Sequence, residues 1–88
     1  MSKYAKKVDA NQPAIIDALT YAGCNVTDMS AAGNGYPDLF VTRAGVHYIL
    51  ECKSSTGTLT TAQEVFHAKH QPVHTVRTPE EALKAVGL

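Results

Sequence analysis

Two apolar runs, separated by a short polar break, stand at the centre of the chain. Leu39-Phe40-Val41-Thr42 and Val46-His47-Tyr48-Ile49-Leu50 are rich in β-branched, aromatic and aliphatic residues, the pattern of strands. Arg43-Ala44-Gly45 lies between them, and Gly45 is free to take the positive φ of a tight turn. The pattern predicts a β-hairpin. Before it, residues 9–22 read as a helix. Asp9 is placed as the N-cap with Gln12 reaching back to it, and Pro13 is tolerated in the first turn. Ala14, Ile15, Ile16, Ala18, Leu19 and Ala22 supply a broad apolar face, and Gly23 ends it. Cys24-Asn25-Val26-Thr27 reads as a short strand, followed by a polar loop over 28–35.

After the hairpin, Thr60-x-x-Gln63 is a second capping box, opening a helix to about residue 69. Ala62, Val65, Phe66 and Lys69 fall at i, i+3, i+4 and i+7 in it. Residues 72–76 read as a short strand. Thr78-Pro79-Glu80-Glu81 starts a third helix, which Leu83 and Val86 would pin to the core. The expected fold is therefore α/β, in the order α-β-β-β-α-β-α. Helices flank a mixed sheet, and the 60–69 helix is the crossover between its flanking strands.

The hairpin also carries the candidate chemistry. With Ala44-Gly45 as a two-residue loop, Arg43 faces Val46, and counting back along both strands puts Asp38 opposite Glu51. Residues directly opposite share a face, with Cβ atoms roughly 5 Å apart. Lys53, two residues past Glu51, returns to that face. A slip of one residue would scatter all three. Two carboxylates this close repel unless a cation lies between them, and hard oxygen ligands of this kind suit Mg²⁺ or Mn²⁺. Such a metal would serve phosphodiester hydrolysis, with Lys53 supporting the attacking water or the transition state. The Cys52 side chain points to the other face, but its backbone carbonyl is a further candidate ligand. The competing reading is a surface ion cluster at a strand end, which contributes little.

Gly35-Tyr36-Pro37-Asp38-Leu39, Glu51-Cys52-Lys53-Ser54 and Gly57-x-Leu59-Thr60-x-x-Gln63 together resemble the PD-(D/E)XK nuclease superfamily, and within it the VRR-NUC branch. The resemblance spans residues 9–85. Each motif is short; their order and spacing carry the match. The resemblance implies a restriction-endonuclease-like core. It implies Asp38 and Glu51 as metal ligands, Lys53 as the catalytic lysine and Gln63 as an active-site residue. A helical acid near the N-terminus often completes such sites. Asp9 is the best match, although Glu is more usual there and an N-cap role competes. The resemblance further implies homodimers that cut branched DNA, with four-way (Holliday) junctions the leading substrate. Two other readings stay open. One is a non-catalytic nucleic-acid-binding or assembly module with the same fold; the other is a base-specific restriction-type nuclease, for which the chain leaves little room.

Composition bounds these readings. With 88 residues, 44% of them hydrophobic, the chain is one domain near the lower size for a single core. It is expected to comprise a flexible basic arm over 1–8 and a nuclease domain over 9–88. Eight basic residues balance eight acidic ones, whereas nucleic-acid-binding domains are usually basic. Metal would neutralise the site's acids, leaving Lys3, Lys6, Lys7, Arg43, Lys53 and Lys69 for phosphate contacts. His67, four residues after Gln63, is a candidate phosphate-binding side chain, and Tyr36 is placed to stack on a base or sugar. One subunit's footprint would be small; a homodimer would double it and use two-fold symmetry to address both strands. Cys24 and Cys52 lack a disulfide framework and read as buried thiols of a cytoplasmic protein. No signal peptide or transmembrane run is read, and no membrane or organic cofactor is expected.

Overall fold

The turn between the two central strands sets the register of the sheet. In a computed structural model that describes residues 9–88, Ala44 and Gly45 both have positive φ, 50° and 79°. That is the requirement of a two-residue type I′ hairpin turn. Strands β2 (Leu39–Arg43) and β3 (Val46–Cys52) accordingly pair with Arg43 opposite Val46 and Leu39 opposite Leu50. Strand β1 (Asn25–Asp28) adds antiparallel to β2, and β4 (His74–Val76) adds parallel to β3, giving a four-stranded mixed sheet ordered β1-β2-β3-β4.

Three helices complete a small α/β domain: α1 (Gln12–Tyr21), α2 (Thr61–Lys69) and α3 (Pro79–Ala85). The order α1-β1-β2-β3-α2-β4-α3 is the expected one, with a 3₁₀ turn (Ser30–Ala32) added inside the 28–35 loop. Helix α2 forms the crossover between parallel β3 and β4.

The period of two divides the sheet into unlike faces. Leu39, Val41, Leu50, Cys52 and Val76 are buried in one cluster with Ile15 and Leu19 of α1 and with Ala82 and Val86 at α3. Phe40, Thr42, His47 and Ile49 lie on the opposite face and remain half-buried or exposed. Asp38 and Glu51 belong to this second face by parity, so the chemistry and the core lie on opposite sides of the hairpin.

Local signals place most element ends. Helix α1 closes as a Schellman motif, with Cys24 N–H on the Leu19 carbonyl, Gly23 N–H on the Thr20 carbonyl, and Gly23 at φ 93°. Thr60 caps α2 in a complete capping box with Gln63, and Thr78 caps α3 by accepting from Glu81 N–H.

Two expectations need correction. Helix α1 starts at Gln12, not at residue 9. Its N-cap position is Asn11, which makes no side-chain cap bond; Asp9 is not the cap, and Gln12 meets it only through its backbone N–H on the Asp9 carbonyl (3.0 Å), its side-chain amide having no partner among the described residues. The Asn11 amide is instead used at long range, donating to the carbonyls of Lys53 (2.9 Å) and Arg77 (2.7 Å). The second correction concerns α2. Its only buried residue is Gln63, while Ala62, Val65 and Lys69 are exposed and Phe66 is half-buried. The residues at apolar spacing do not face the core.

Ala44 holds a left-handed conformation that costs an alanine roughly 1 kcal/mol. Ala44→Asn, which tolerates that region better, is therefore expected to raise stability by about 0.5–1 kcal/mol. The measurement is the urea midpoint at unchanged m-value. A lowered midpoint would mean that the turn does not carry this strain.

Candidate active site

Asp38 is delivered by a rigid approach. Pro37 before it is fully buried and has no N–H to satisfy. The Asp38 carbonyl accepts from Met29 N–H (2.6 Å), and its own N–H donates to the Leu50 carbonyl (3.2 Å). Asp28 Oδ1 holds the preceding loop by accepting from Ser30 N–H (2.9 Å) and Ser30 Oγ (2.6 Å). With its backbone fixed, Asp38 turns its carboxylate onto the end of β3, where Oδ2 accepts from Cys52 N–H at 2.8 Å. A backbone donor on a buried carboxylate is a charge-assisted bond and fixes the side chain. In an extended strand a residue's N–H and carbonyl face the same neighbour, so the Cys52 carbonyl also faces the Asp38 side. The Cys52 thiol points into the core. Its pKa is pushed up to about 12, by burial first and then by the negative charge of Asp38, Glu51, Asp9 and Asp28.

Glu51, only 1% exposed, is the most deeply buried acid of the domain. Burying a carboxylate demands compensation, and two side chains provide it. Gln63 Nε2 donates to Glu51 Oε2 at 3.0 Å, and Lys53 Nζ lies 3.8 Å from the same oxygen. Gln63 acts at both ends of its amide. Its Oε1 accepts from Thr60 N–H at 2.9 Å, completing the cap, while its nitrogen holds Glu51. One amide therefore caps the helix and holds Glu51 at once.

The segment joining Lys53 to α2 is held by Arg77, whose Nη1 donates to the carbonyls of Ser54 (2.6 Å) and Gly57 (2.7 Å). Sequence reasoning had not singled out Arg77. Its signal, a lone arginine between a strand and a helix cap, does not say which carbonyls it reaches.

The remaining candidates scatter. His67, on α2, has its pKa lowered by burial and by the nearby Lys53 charge, so its imidazole is neutral at pH 7. It lines a surface groove of about 470 Å³ with Leu59, Glu64 and Pro72. Lys69 is exposed in the last turn of α2, and Tyr36 is half-exposed beside Pro37. Arg43 sits at the turn end of the hairpin, away from the acids, and its Nη1 donates to the Val86 carbonyl at 3.1 Å. Lys3, Lys6 and Lys7, in the expected basic arm, lie outside the described residues.

No family model, curated protein or solved structure matches the chain. The site is therefore read from its own geometry. Among the described residues, no three His, Cys, Asp or Glu side chains gather closely enough to hold a metal ion by themselves. Two carboxylates with a backbone carbonyl form a smaller, all-oxygen set. That fits Mg²⁺ or Mn²⁺, which rely on one or two carboxylates plus water and substrate oxygens.

Gln12 is the residue that the sequence reading missed in this region. It is 1% exposed on the inner stripe of α1, and neither its Oε1 nor its Nε2 has a hydrogen-bond partner among the described residues. It follows Asn11, whose amide is bonded to the Lys53 carbonyl, so it enters the fold at the site's end of the sheet. An unpartnered buried amide costs stability and is retained only where something else gains from it. Gln12→Met, of similar shape and without polar atoms, is expected to raise stability by about 1–2 kcal/mol. Denaturant unfolding in EDTA measures it. A loss of stability would mean that the Gln12 amide is partnered in the resting protein.

Proposed function

We propose that this chain is a metal-dependent nuclease hydrolysing phosphodiester bonds, of the VRR-NUC type within the PD-(D/E)XK superfamily. One observation carries the reading: Asp38 and Glu51 are both buried at one end of the hairpin, with Lys53 and Gln63 both directed at the Glu51 carboxylate. The element order and the crossover helix agree with a core of that kind. A surface ion cluster would not bury both acids, since exposed pairs gain too little to offset desolvation.

In this reading Asp38, Glu51 and the Cys52 carbonyl hold Mg²⁺ or Mn²⁺. Such an ion, when bound, polarises a phosphoryl oxygen and lowers the pKa of a coordinated water. The chain's own residues do the rest. Cys52 N–H and Gln63 Nε2 fix the two carboxylates so that neither reorganises when substrate arrives. Lys53 presents a compact positive charge beside them, suited to the charge that develops on the phosphate. Water supplies the nucleophile, forming a new P–O bond and losing a proton to solvent; the scissile P–O bond breaks, and the leaving oxygen takes a proton from solvent.

The substrate we propose is branched DNA, four-way junctions foremost, cut by a homodimer. A neutral chain offers few phosphate contacts, and a two-fold pair of subunits doubles them while presenting two sites to opposite strands.

The test is cleavage of labelled four-way junction, flap, duplex and single-stranded DNA in Mg²⁺ or Mn²⁺. Glu51→Ala and Lys53→Ala are each expected to lower the rate by about 10²-fold or more, with Lys53→Ala retaining fold and metal binding. Full cleavage by either variant would sink the mechanism. An absence of metal-dependent cleavage on every substrate, with nucleic acid still bound, would favour a non-catalytic binding module.

A further inference from the structure

Helix α2 presents an anomaly. Its residues at core spacing point outward, with Val65 49% exposed and Ala62 also exposed. A nine-residue helix with such a face normally buries it. Here three polar or backbone contacts hold the helix instead: the Thr60 cap, the Gln63 bond to Glu51, and a close approach by Gly35. At Gly35, φ is +80°, and a Cβ would lie 2.5 Å from the Ala62 carbonyl oxygen, so only glycine lets the loop rest on the helix there.

That approach brings the next residue, Tyr36, over the exposed side of α2. Its ring lies 5.2 Å from the Phe66 ring at 46°, and Phe66 lies 4.3 Å from the His70 ring at 35°. Three rings form a continuous strip, with Tyr36 51% exposed and His70 exposed at its far end. The strip is tied to the acidic site at two points. Tyr36 is two residues from Asp38, and Phe66 is one helical turn from Gln63. Lys69 stands exposed in the same last turn of α2.

We infer that Tyr36, Phe66 and His70 form a stacking platform for an unpaired nucleobase of a nucleic acid whose backbone enters the Asp38–Glu51 site. The inference rests on the nuclease reading and deepens it, ranking branched DNA that carries a single-stranded arm above a fully paired four-way junction. Aromatic rings in a row that opens to solvent at Tyr36 and His70 accept the faces of bases with little regard to sequence, and a cation beside them meets the backbone. A base inside an intact duplex already spends both faces on its neighbours. The platform therefore selects nucleotides that are unpaired or displaced next to the cut, as at a branch point or a single-stranded arm. An apolar peptide would not need the Lys69 charge or the neighbouring phosphodiester site.

The test uses a branched substrate whose single-stranded arm carries either normal nucleotides or abasic ones at unchanged phosphate number. Binding is read by anisotropy in Ca²⁺ and cleavage in Mg²⁺ or Mn²⁺. The wild-type chain is expected to prefer the intact arm by about tenfold. Tyr36→Ala should bring the intact arm down to the abasic level, while Tyr36→Phe, which keeps the ring, should retain most of the preference. Unfolding midpoints of both variants show whether the loop still folds, and the wild-type comparison of intact and abasic arms carries the test if Tyr36→Ala does not fold. Equal treatment of intact and abasic arms by the wild type, with cleavage still dependent on Glu51, would overturn the platform and leave the nuclease standing. A Tyr36-dependent preference in binding, without cleavage of any substrate, would leave the platform and remove the nuclease. Loss of a dimer in Tyr36→Ala, with no base preference in the wild type, would assign the strip to a second copy of the chain and overturn the inference.

Discussion

The architecture depends on the register of one hairpin. A two-residue turn at Ala44-Gly45 fixes Arg43 opposite Val46, and the period of two then decides every later position. Leu39, Val41, Leu50 and Cys52 fall on the core face, and Asp38, Glu51 and Lys53 on the other. A slip of one residue would put Glu51 into the cluster with Ile15 and Leu19, away from Gln63 and Lys53. The hydrophobic face and the charged face therefore enforce the same register. The strain at Ala44 is tolerated because both the core and the carboxylates depend on the turn.

Burial of two carboxylates at a sheet end is the second constraint, and neighbouring segments are arranged to meet it. The Cys52 N–H, which the end of the ladder leaves available, goes to Asp38. The Gln63 amide is shared between a helix cap and Glu51, so the start of α2 and the position of Glu51 cannot vary separately. Arg77 fastens the segment between Lys53 and α2, and Asn11 ties the start of α1 to the Lys53 carbonyl. Apart from the Gln63–Thr60 cap, each of these bonds is long-range, and together they fix a short loop without a large core beneath it.

Features that depend on local chemistry were legible in the sequence: the hairpin register, the Thr60 and Thr78 caps, the Gly23 stop and the approach of Lys53 to Glu51. Features decided by distant partners were not. Asp9 and Gln12 are spaced like a capping box, but tertiary contacts of Asn11 outweigh that local option and the helix begins later. The spacing of Ala62, Val65, Phe66 and Lys69 reads as a core stripe, because periodicity reports that a face exists and not which way it points. Arg43 reads as a phosphate contact by charge alone, yet the register that assembles the site carries it to the opposite end of the hairpin. The fate of Gln12 was not legible either: its spacing from Asp9 suits a cap, and only the fold shows its amide buried with no partner among the described residues.

The outward stripe of α2 and the neutral net charge are connected. A small chain with eight basic and eight acidic residues has little electrostatic capacity to hold a polyanion. Contacts that do not depend on charge then become more valuable, and aromatic faces are the kind least weakened by salt. Burying Phe66 would have enlarged the core but closed the route along which Tyr36, Phe66 and His70 run toward Asp38. Holding α2 through Gln63 and Gly35 keeps Tyr36 and His70 at the surface with Phe66 half-buried between them. The same contacts that compensate the buried Glu51 thus also determine what lies beside it.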